Sequence, residues 1–91
     1  MRRITLDGKL MTTRECTHHY LEAMLDFPDY YGKNLDALWD LLSFESRPTK
    51  IYVIHPQNII RNLGDYGAEL IEVLIEVDQE KGKVQVEFDW Y

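Results

Sequence analysis

The sequence predicts an α/β protein with a three-stranded parallel sheet and about four helices. Three short segments rich in β-branched residues are separated by stretches in which apolar residues recur at helical spacing. Because strands that alternate with helices are joined by crossover connections, they pair in parallel. A length of 91 residues is typical of one domain, so we expect residues 1–91 to form a single domain.

The first strand and the first helix occupy residues 3 to about 26. Apolar and polar residues alternate over residues 3–6 and stop at an Asp-Gly pair, which predicts a short strand and a turn. Thr12 followed by Glu15 matches a capping box, so a helix is predicted from residue 13 to about residue 26. Its apolar stripe predicts that Cys16 is a small core residue, together with Tyr20, Leu21, Met24 and Leu25.

The second helix is predicted from residue 35 to about residue 44. Pro28 ends the first helix, and Gly32 gives the backbone room to turn before the next one. Asn34 is a suitable N-cap because its short side chain can accept from the exposed amides of the first turn. Three leucines at helical spacing predict the buried face of this helix: Leu35, Leu38 and Leu42.

The rest of the chain continues the alternation of strands and helices. Residues 51–54 form a β-branched run, which predicts a central strand buried on both faces. A short helix over residues 56–63 ends at Gly64, and a long helix follows from about residue 66 to residue 81, with Asp65 as its cap. The last strand, residues 84–90, alternates and therefore lies at an edge, as the first strand does. Two aromatic residues are assigned to the core, Tyr52 and Trp90.

Composition and charge exclude several classes of function. The formal net charge is −6 and the pI is about 4.9, which argues against a nucleic-acid-binding protein because such proteins need a basic face. An acidic chain can instead dock onto a basic protein. The single cysteine fits a reducing compartment, and no segment has the length of a membrane span or the core of a signal peptide. We therefore expect a cytoplasmic protein without membrane partners.

The residues also argue against an enzyme. Cys16 with His18 and His19 is the nearest approach to a nucleophile and a base, but the predicted burial of Cys16 favours a structural role. The two histidines are adjacent on a helix, so their side chains face different ways and cannot form a metal site together. The sequence has no phosphate-binding loop, no GxSxG and no zinc pattern. We expect no catalysis, no metal and no cofactor.

The stretch over residues 30–40 is the strongest candidate for a binding site. Asp36 and Asp40 are four residues apart and project from one helix face, with Trp39 beside them. Tyr30 and Tyr31 lie just upstream, and aromatic side chains beside paired carboxylates are typical of a patch that recognises a cationic partner. The alternative is a solvated acidic helix with tyrosines packed beneath it.

The same stretch resembles the signature of the barstar family, the intracellular inhibitors of barnase-type ribonucleases. Ten of its eleven positions match the pattern Tyr-Tyr-Gly-x-Asn-Leu-Asp-Ala-Leu-Trp-Asp, and Lys33 stands at the variable one. The likeness extends more loosely over the chain, to the Asp7-Gly8 turn, the Gly-Ala-Glu at residues 67–69 and Gly82. The resemblance implies the barstar-like fold, which is the three-stranded parallel sheet already predicted.

The resemblance also implies a partner and a role for each residue of the motif. The partner would be a basic extracellular ribonuclease, or a related toxin, whose active site is blocked by a monomeric inhibitor. Asp40 would take the place of the RNA phosphate, Asp36 would pair with a second cation, and Tyr30 would stack against a histidine of the ribonuclease. Close backbone contact and packing would come from Gly32, Asn34, Leu35 and Trp39.

Two positions depart from the family pattern. The family has a second tryptophan contact just after the motif helix, and this place falls on Glu45, with Phe44 beside it. The carboxylate that the family contributes from the long helix falls on Val77. Glu76 is the neighbouring candidate and Glu80 lies one turn further on, so Glu76, Glu80 or neither replaces the contact.

These departures leave two alternatives to a ribonuclease inhibitor. Residues at the edge of an interface often decide which partner is chosen, so the cognate protein is not fixed by the central motif. One alternative is an interaction or regulatory module of the immunity type on this fold, with a partner other than a ribonuclease. The other is an acidic mimic of nucleic acid that acts over a broad surface.

Overall fold

The computed structural model describes residues 1–90 and confirms the predicted fold class. Helices separate the three strands along the chain, and a short 3-10 turn over Gly8–Leu10 follows the first strand. The strands are β1 (Arg2–Asp7), β2 (Thr49–Ile54) and β3 (Val84–Asp89), and the helices are α1 (Arg14–Leu25), α2 (Leu35–Ser43), α3 (Pro56–Leu63) and α4 (Asp65–Gln79). Within the described residues, no helix has both the length and the apolar character needed to cross a lipid bilayer.

The sheet is parallel throughout, and β2 lies between β1 and β3 as predicted. Ile4 on β1 is aligned with Ile51 on β2, which is aligned with Val86 on β3. All three side chains are buried, so this row belongs to the face of the sheet that meets the core.

The prediction that β2 is buried on both faces is wrong. Thr49, Ile51 and Val53 are buried, but Tyr52 between them is exposed. Thr5 on β1 and Glu87 on β3 are aligned with Tyr52 and are also exposed, so the second face of the sheet is open. An apolar, β-branched run suits any pleated strand and does not show how many faces are covered. Trp90 was likewise assigned to the core and is exposed.

The predicted buried stripe of α1 is also wrong in part. Leu21 and Leu25 are buried as expected, but Cys16 and Met24 are exposed, and two polar residues of the helix, Thr17 and His18, are buried instead. Apolar spacing could not show this because two of the buried residues are polar. The cap also differs by one residue, since the Cys16 amide donates to Thr13 Oγ1 at 3.1 Å.

Helix α4 packs against both α2 and α3. The close approach to α3 depends on Gly67, because a Cβ added there would lie 2.4 Å from the Ile59 carbonyl oxygen. Gly64 precedes α4 as its N-cap at a φ of 61°, so the predicted cap Asp65 is instead the first helical residue. The buried face of α4 consists of Gly67, Leu70, Ile71, Leu74 and Val77.

Candidate functional site

The start of α2 is held by the side chain of Asn34, as predicted. The Ala37 amide donates to Asn34 Oδ1 at 2.8 Å, which satisfies one of the exposed donors of the first turn. Asn34 Nδ2 donates to the Gly32 carbonyl at 3.2 Å. One side chain therefore fixes the loop relative to the helix that follows it.

The structure adds a steric constraint at Gly32 to the turn predicted there. The residue with left-handed backbone is Lys33, at a φ of 53°, and not Gly32. A Cβ added to Gly32 would lie 3.3 Å from both Ala37 Cβ and Asn34 Nδ2. A larger residue at this position would therefore be tightly packed against the first turn of α2.

Asp36 and Asp40 lie on the exposed side of α2. Both residues are exposed, and neither carboxylate forms a hydrogen bond or an ion pair with any residue of the described range 1–90. The opposite side of the helix is anchored by Leu38 and Leu42, which are buried. Two partly buried side chains, Leu35 and Trp39, also pack against the core. One side of the helix is therefore packed against the core, and the other exposes two carboxylates that no cation of the described residues neutralises.

The two tyrosines of the motif have separate roles. Tyr30 is 81% exposed, which makes it available to a partner. Tyr31 is only 4% exposed; its hydroxyl lies 2.6 Å from His18 Nδ1, and its ring lies 4.7 Å from the ring of Phe27. Burial raises the pKa of the Tyr31 phenol well above its usual range. The alternative of a tyrosine packed beneath the helix thus holds for Tyr31 alone.

The loop and α2 both line a surface pocket of about 260 Å³. Tyr30 and Gly32 line it from the loop, and Asp40 lines it from the helix, so three residues singled out from the sequence share one concave feature. A side chain of a partner protein that entered this pocket would meet an aromatic ring and a carboxylate. The full lining is Tyr30, Tyr31, Gly32, Ala37, Asp40 and Leu41.

Phe44 is a candidate that the sequence did not single out as a site residue. It follows the last residue of α2 and is 84% exposed. Its neighbour Glu45 is used internally, since its carboxylate pairs with Arg2 at 2.8 Å and with Arg47 at 2.6 Å. The sequence could have indicated Phe44, because it is a large aromatic residue at the end of α2 and does not continue the buried face formed by Leu38 and Leu42.

Helix α4 presents Glu76 and buries its neighbour. Val77 is only 2% exposed, so its side chain is part of the core and not of the surface. Glu76 on α4 and Glu80, the C-cap of that helix, are exposed and four residues apart, so both lie on its outer side; α4 packs against α2. The structure thus brings Tyr30, Gly32 and Asp40 around one pocket and places Glu76 on the neighbouring helix.

Comparison with known proteins shows which family the chain belongs to. The family model described as "Barstar (barnase inhibitor)" matches residues 1–90. The chain is also 40% identical over 81 residues to a protein of Bacillus subtilis (strain 168) named "Putative ribonuclease inhibitor YrdF". That match covers 88% of this chain and 89% of the relative. The protein is therefore a member of the barstar family.

Proposed function

We propose that this protein inhibits a barnase-type ribonuclease by inserting α2 and the preceding loop into its active site. The observation that carries the proposal is the position of Asp40: an exposed carboxylate, unpaired within residues 1–90, at the rim of a pocket shared with Tyr30. The family description and the name of the relative support an inhibitor rather than an enzyme.

The proposed mechanism replaces a phosphate with a carboxylate. A ribonuclease active site holds the RNA phosphate with arginine, lysine and histidine donors, and a carboxylate accepts hydrogen bonds from the same groups. Desolvating Asp40 costs free energy, which only a partner with well-placed cationic donors offsets. This requirement makes the contact selective for a basic active site, and the proposed Asp36 pairing with a second cation adds to it.

The other motif residues act on either side of this contact. Tyr30 stacks on a histidine of the ribonuclease, while Gly32 and Asn34 hold the loop close to the helix. Leu35 and Trp39 support α2 from the core side, with edges available to the partner. At the periphery, Glu76 contributes a carboxylate from α4, and Phe44 contributes an aromatic side chain from the end of α2. We further propose a monomeric single domain that acts in the cytoplasm against a ribonuclease made for export.

Calorimetric titration against a barnase-type ribonuclease, with a parallel RNA-cleavage assay, tests this proposal. We expect one-to-one binding that blocks cleavage, and Asp40→Ala should weaken it by at least about 2 kcal/mol because it leaves buried cations of the partner unpaired. Glu87→Ala is the control, since it removes an exposed carboxylate from the open face of the sheet, together with its ion pair to Lys50 at 3.6 Å. Glu76→Ala should cost less than Asp40→Ala, and a larger loss would place the interface on α4.

A second candidate function is supported by the two positions, Glu45 and Val77, at which the sequence departs from the family pattern. Glu45 is committed to Arg2 and Arg47, and Val77 is buried, so neither position offers the contact that the family pattern has there. An interaction or regulatory module of the immunity type, with a partner other than a ribonuclease, fits these losses. Absence of binding to the ribonuclease, with a folded protein, would favour this candidate.

A further inference from the structure

A second cavity, of about 290 Å³, lies beside the same loop and has the opposite electrostatic character. Arg14 and His19 line it from α1, and Lys33 lines it from the loop. Glu15 is the one carboxylate in the described lining. Two permanently charged cations, Arg14 and Lys33, thus face one carboxylate in this lining, in a chain of net charge −6.

These cations are held in place but are incompletely neutralised. The Arg14 guanidinium lies 4.2 Å from the centre of the Tyr66 ring and forms no ion pair with a carboxylate of residues 1–90. Lys33 reaches Glu22 only at 3.9 Å, and His19 meets the same carboxylate at 3.9 Å. Lys33 has left-handed backbone, at a φ of 53°, and lines the cavity.

A buried hydrogen-bond chain ends at this cavity. His18 is 2% exposed, and its Nδ1 and Nε2 atoms each lie 2.6 Å from a tyrosine hydroxyl, that of Tyr31 and that of Tyr66 respectively. Burial, followed by the positive charges of His19 and Lys33, lowers the pKa of His18 and so favours the neutral ring. A neutral imidazole donates from one nitrogen and accepts on the other, so the two tyrosines cannot have the same role.

The direction of the chain follows from burial. Within residues 1–90 the buried Tyr31 hydroxyl has one hydrogen bond, to His18, so we assign the Tyr31 O–H as donor to Nδ1; the reverse tautomer would leave that hydrogen buried without an acceptor. His18 Nε2–H therefore donates to the Tyr66 oxygen. Tyr66, which lines the cavity, keeps its own hydroxyl hydrogen for a further acceptor.

We propose that this cavity binds an oxyanion of the phosphate class, held by Arg14, Lys33 and the hydroxyl of Tyr66. A phosphate offers several acceptor oxygens, which suit the guanidinium, the ammonium and the hydroxyl donor that α1, the loop and α4 contribute to the lining of this cavity. His19 adds a further positive charge when it is protonated. The site uses neither Asp36 nor Asp40, so the result of the phosphate test does not depend on whether the protein inhibits a ribonuclease.

Nuclear magnetic resonance titration of the full chain with inorganic phosphate, at fixed ionic strength and against sodium chloride, tests the proposal. We expect saturable shifts at Arg14, Lys33 and Tyr66 with phosphate and none with chloride. Arg14→Gln and Lys33→Gln should each weaken binding by about fivefold or more, whereas Glu15→Gln should strengthen it. Tyr66→Phe should also weaken binding, because it keeps the ring beneath Arg14 and removes the hydroxyl; it also removes the acceptor of the buried His18 Nε2–H, so its thermal unfolding is measured alongside.

Arg61→Gln, an exposed arginine on α3 with no ion pair in the described chain, is the control for general charge. Chemical shifts that do not saturate, or an equal loss of phosphate affinity in Arg61→Gln, would show that the shifts come from charge screening. Either result would overturn the site. A nucleoside monophosphate identifies the source of the oxyanion: tighter binding than phosphate indicates a nucleotide, and equal binding indicates the free anion. If neither inorganic phosphate nor the nucleoside monophosphate binds, the proposal is overturned. If Tyr66→Phe fails to fold, Lys33→Gln still tests the site.

Discussion

His18 links the core to the candidate binding loop through a single side chain. Its ring bridges Tyr31, which lies in the motif, and Tyr66, which lies on α4. Both bonds connect parts of the chain that are distant in sequence, and the residue has almost no exposed surface. A change in the protonation of this ring therefore alters its hydrogen bond to Tyr31 in the loop as well as the stability of the fold.

We expect acid to destabilise the protein through His18. Because burial lowers the pKa of His18 in the folded protein, the unfolded chain binds this proton first as the pH falls below about 6.5. The free energy of unfolding should therefore decrease between pH 7.5 and pH 5.5, measured by urea denaturation. His18→Gln should flatten this dependence, whereas His19→Gln should keep most of it, because burial is the larger cause of the lowered pKa of His18 and the charge of His19 is a smaller one. Equal pH dependence in the wild type and His18→Gln would contradict this assignment.

Phe44 should contribute to partner binding without contributing to stability. The side chain is 84% exposed, so Phe44→Ala removes little buried surface from the folded chain. Burial of a phenylalanine against a partner stabilises a complex by about 1.5–3 kcal/mol, and we expect a loss of affinity of that order for the ribonuclease. Calorimetry and thermal unfolding measure the two effects. Tyr52→Ala on the open face of the sheet is the aromatic control, and an equal loss of affinity in both variants would exclude Phe44 from the interface.

At the scale of the element, the loop and α2 form one unit because Asn34 bonds to both. Asn34→Ala removes the cap of α2 and should lower the free energy of unfolding by about 1 kcal/mol. Asn34→Asp keeps an oxygen acceptor for the Ala37 amide and loses only the donor to Gly32, so it should retain most of the stability. Chemical denaturation of the two variants measures both values. A loss in Asn34→Asp as large as that in Asn34→Ala would show that the loop contact, and not the cap, matters most.

The elements differ in how far the sequence could predict them. The start of α2 at Leu35 was predicted because its signals, a capping side chain and leucines at helical spacing, are local. The buried face of α1 was mispredicted because the burial of His18 depends on hydroxyls that Tyr31 and Tyr66 supply from elsewhere. The steric constraint at Gly32 was missed for a similar reason, since it is a contact with Ala37 and not a matter of its own backbone angle.

At the scale of the whole molecule, the order of elements was enough to predict the parallel sheet, but not what covers it. Helical crossovers impose parallel pairing with β2 in the centre, as observed. The open second face, marked by Tyr52, could not be predicted because β-branched residues favour strands on either kind of surface. The cationic cavity was equally hidden, because Arg14 and Lys33 meet only after α1 and the loop are placed together.

Charge is the property of the whole molecule that should control how quickly it meets a basic partner. The net charge is −6, and exposed carboxylates lie on α2 at Asp36 and Asp40 and on α4 at Glu72 and Glu76. Such a surface attracts a basic protein over distances of about the Debye length, which shrinks from roughly 10 Å at 0.1 M salt to 3 Å at 1 M.

We expect the association rate with a barnase-type ribonuclease to fall about tenfold or more between 50 mM and 500 mM salt, as measured by stopped-flow fluorescence. Glu72→Gln should lower the association rate slightly and leave dissociation unchanged, because this carboxylate acts only on the encounter. Asp40→Ala should act mainly by increasing the dissociation rate, because its contact forms only in the docked complex. An association rate that is independent of salt would show that the acidic surface does not steer the encounter, and the inhibitor would then depend on the fit of α2 and its loop alone.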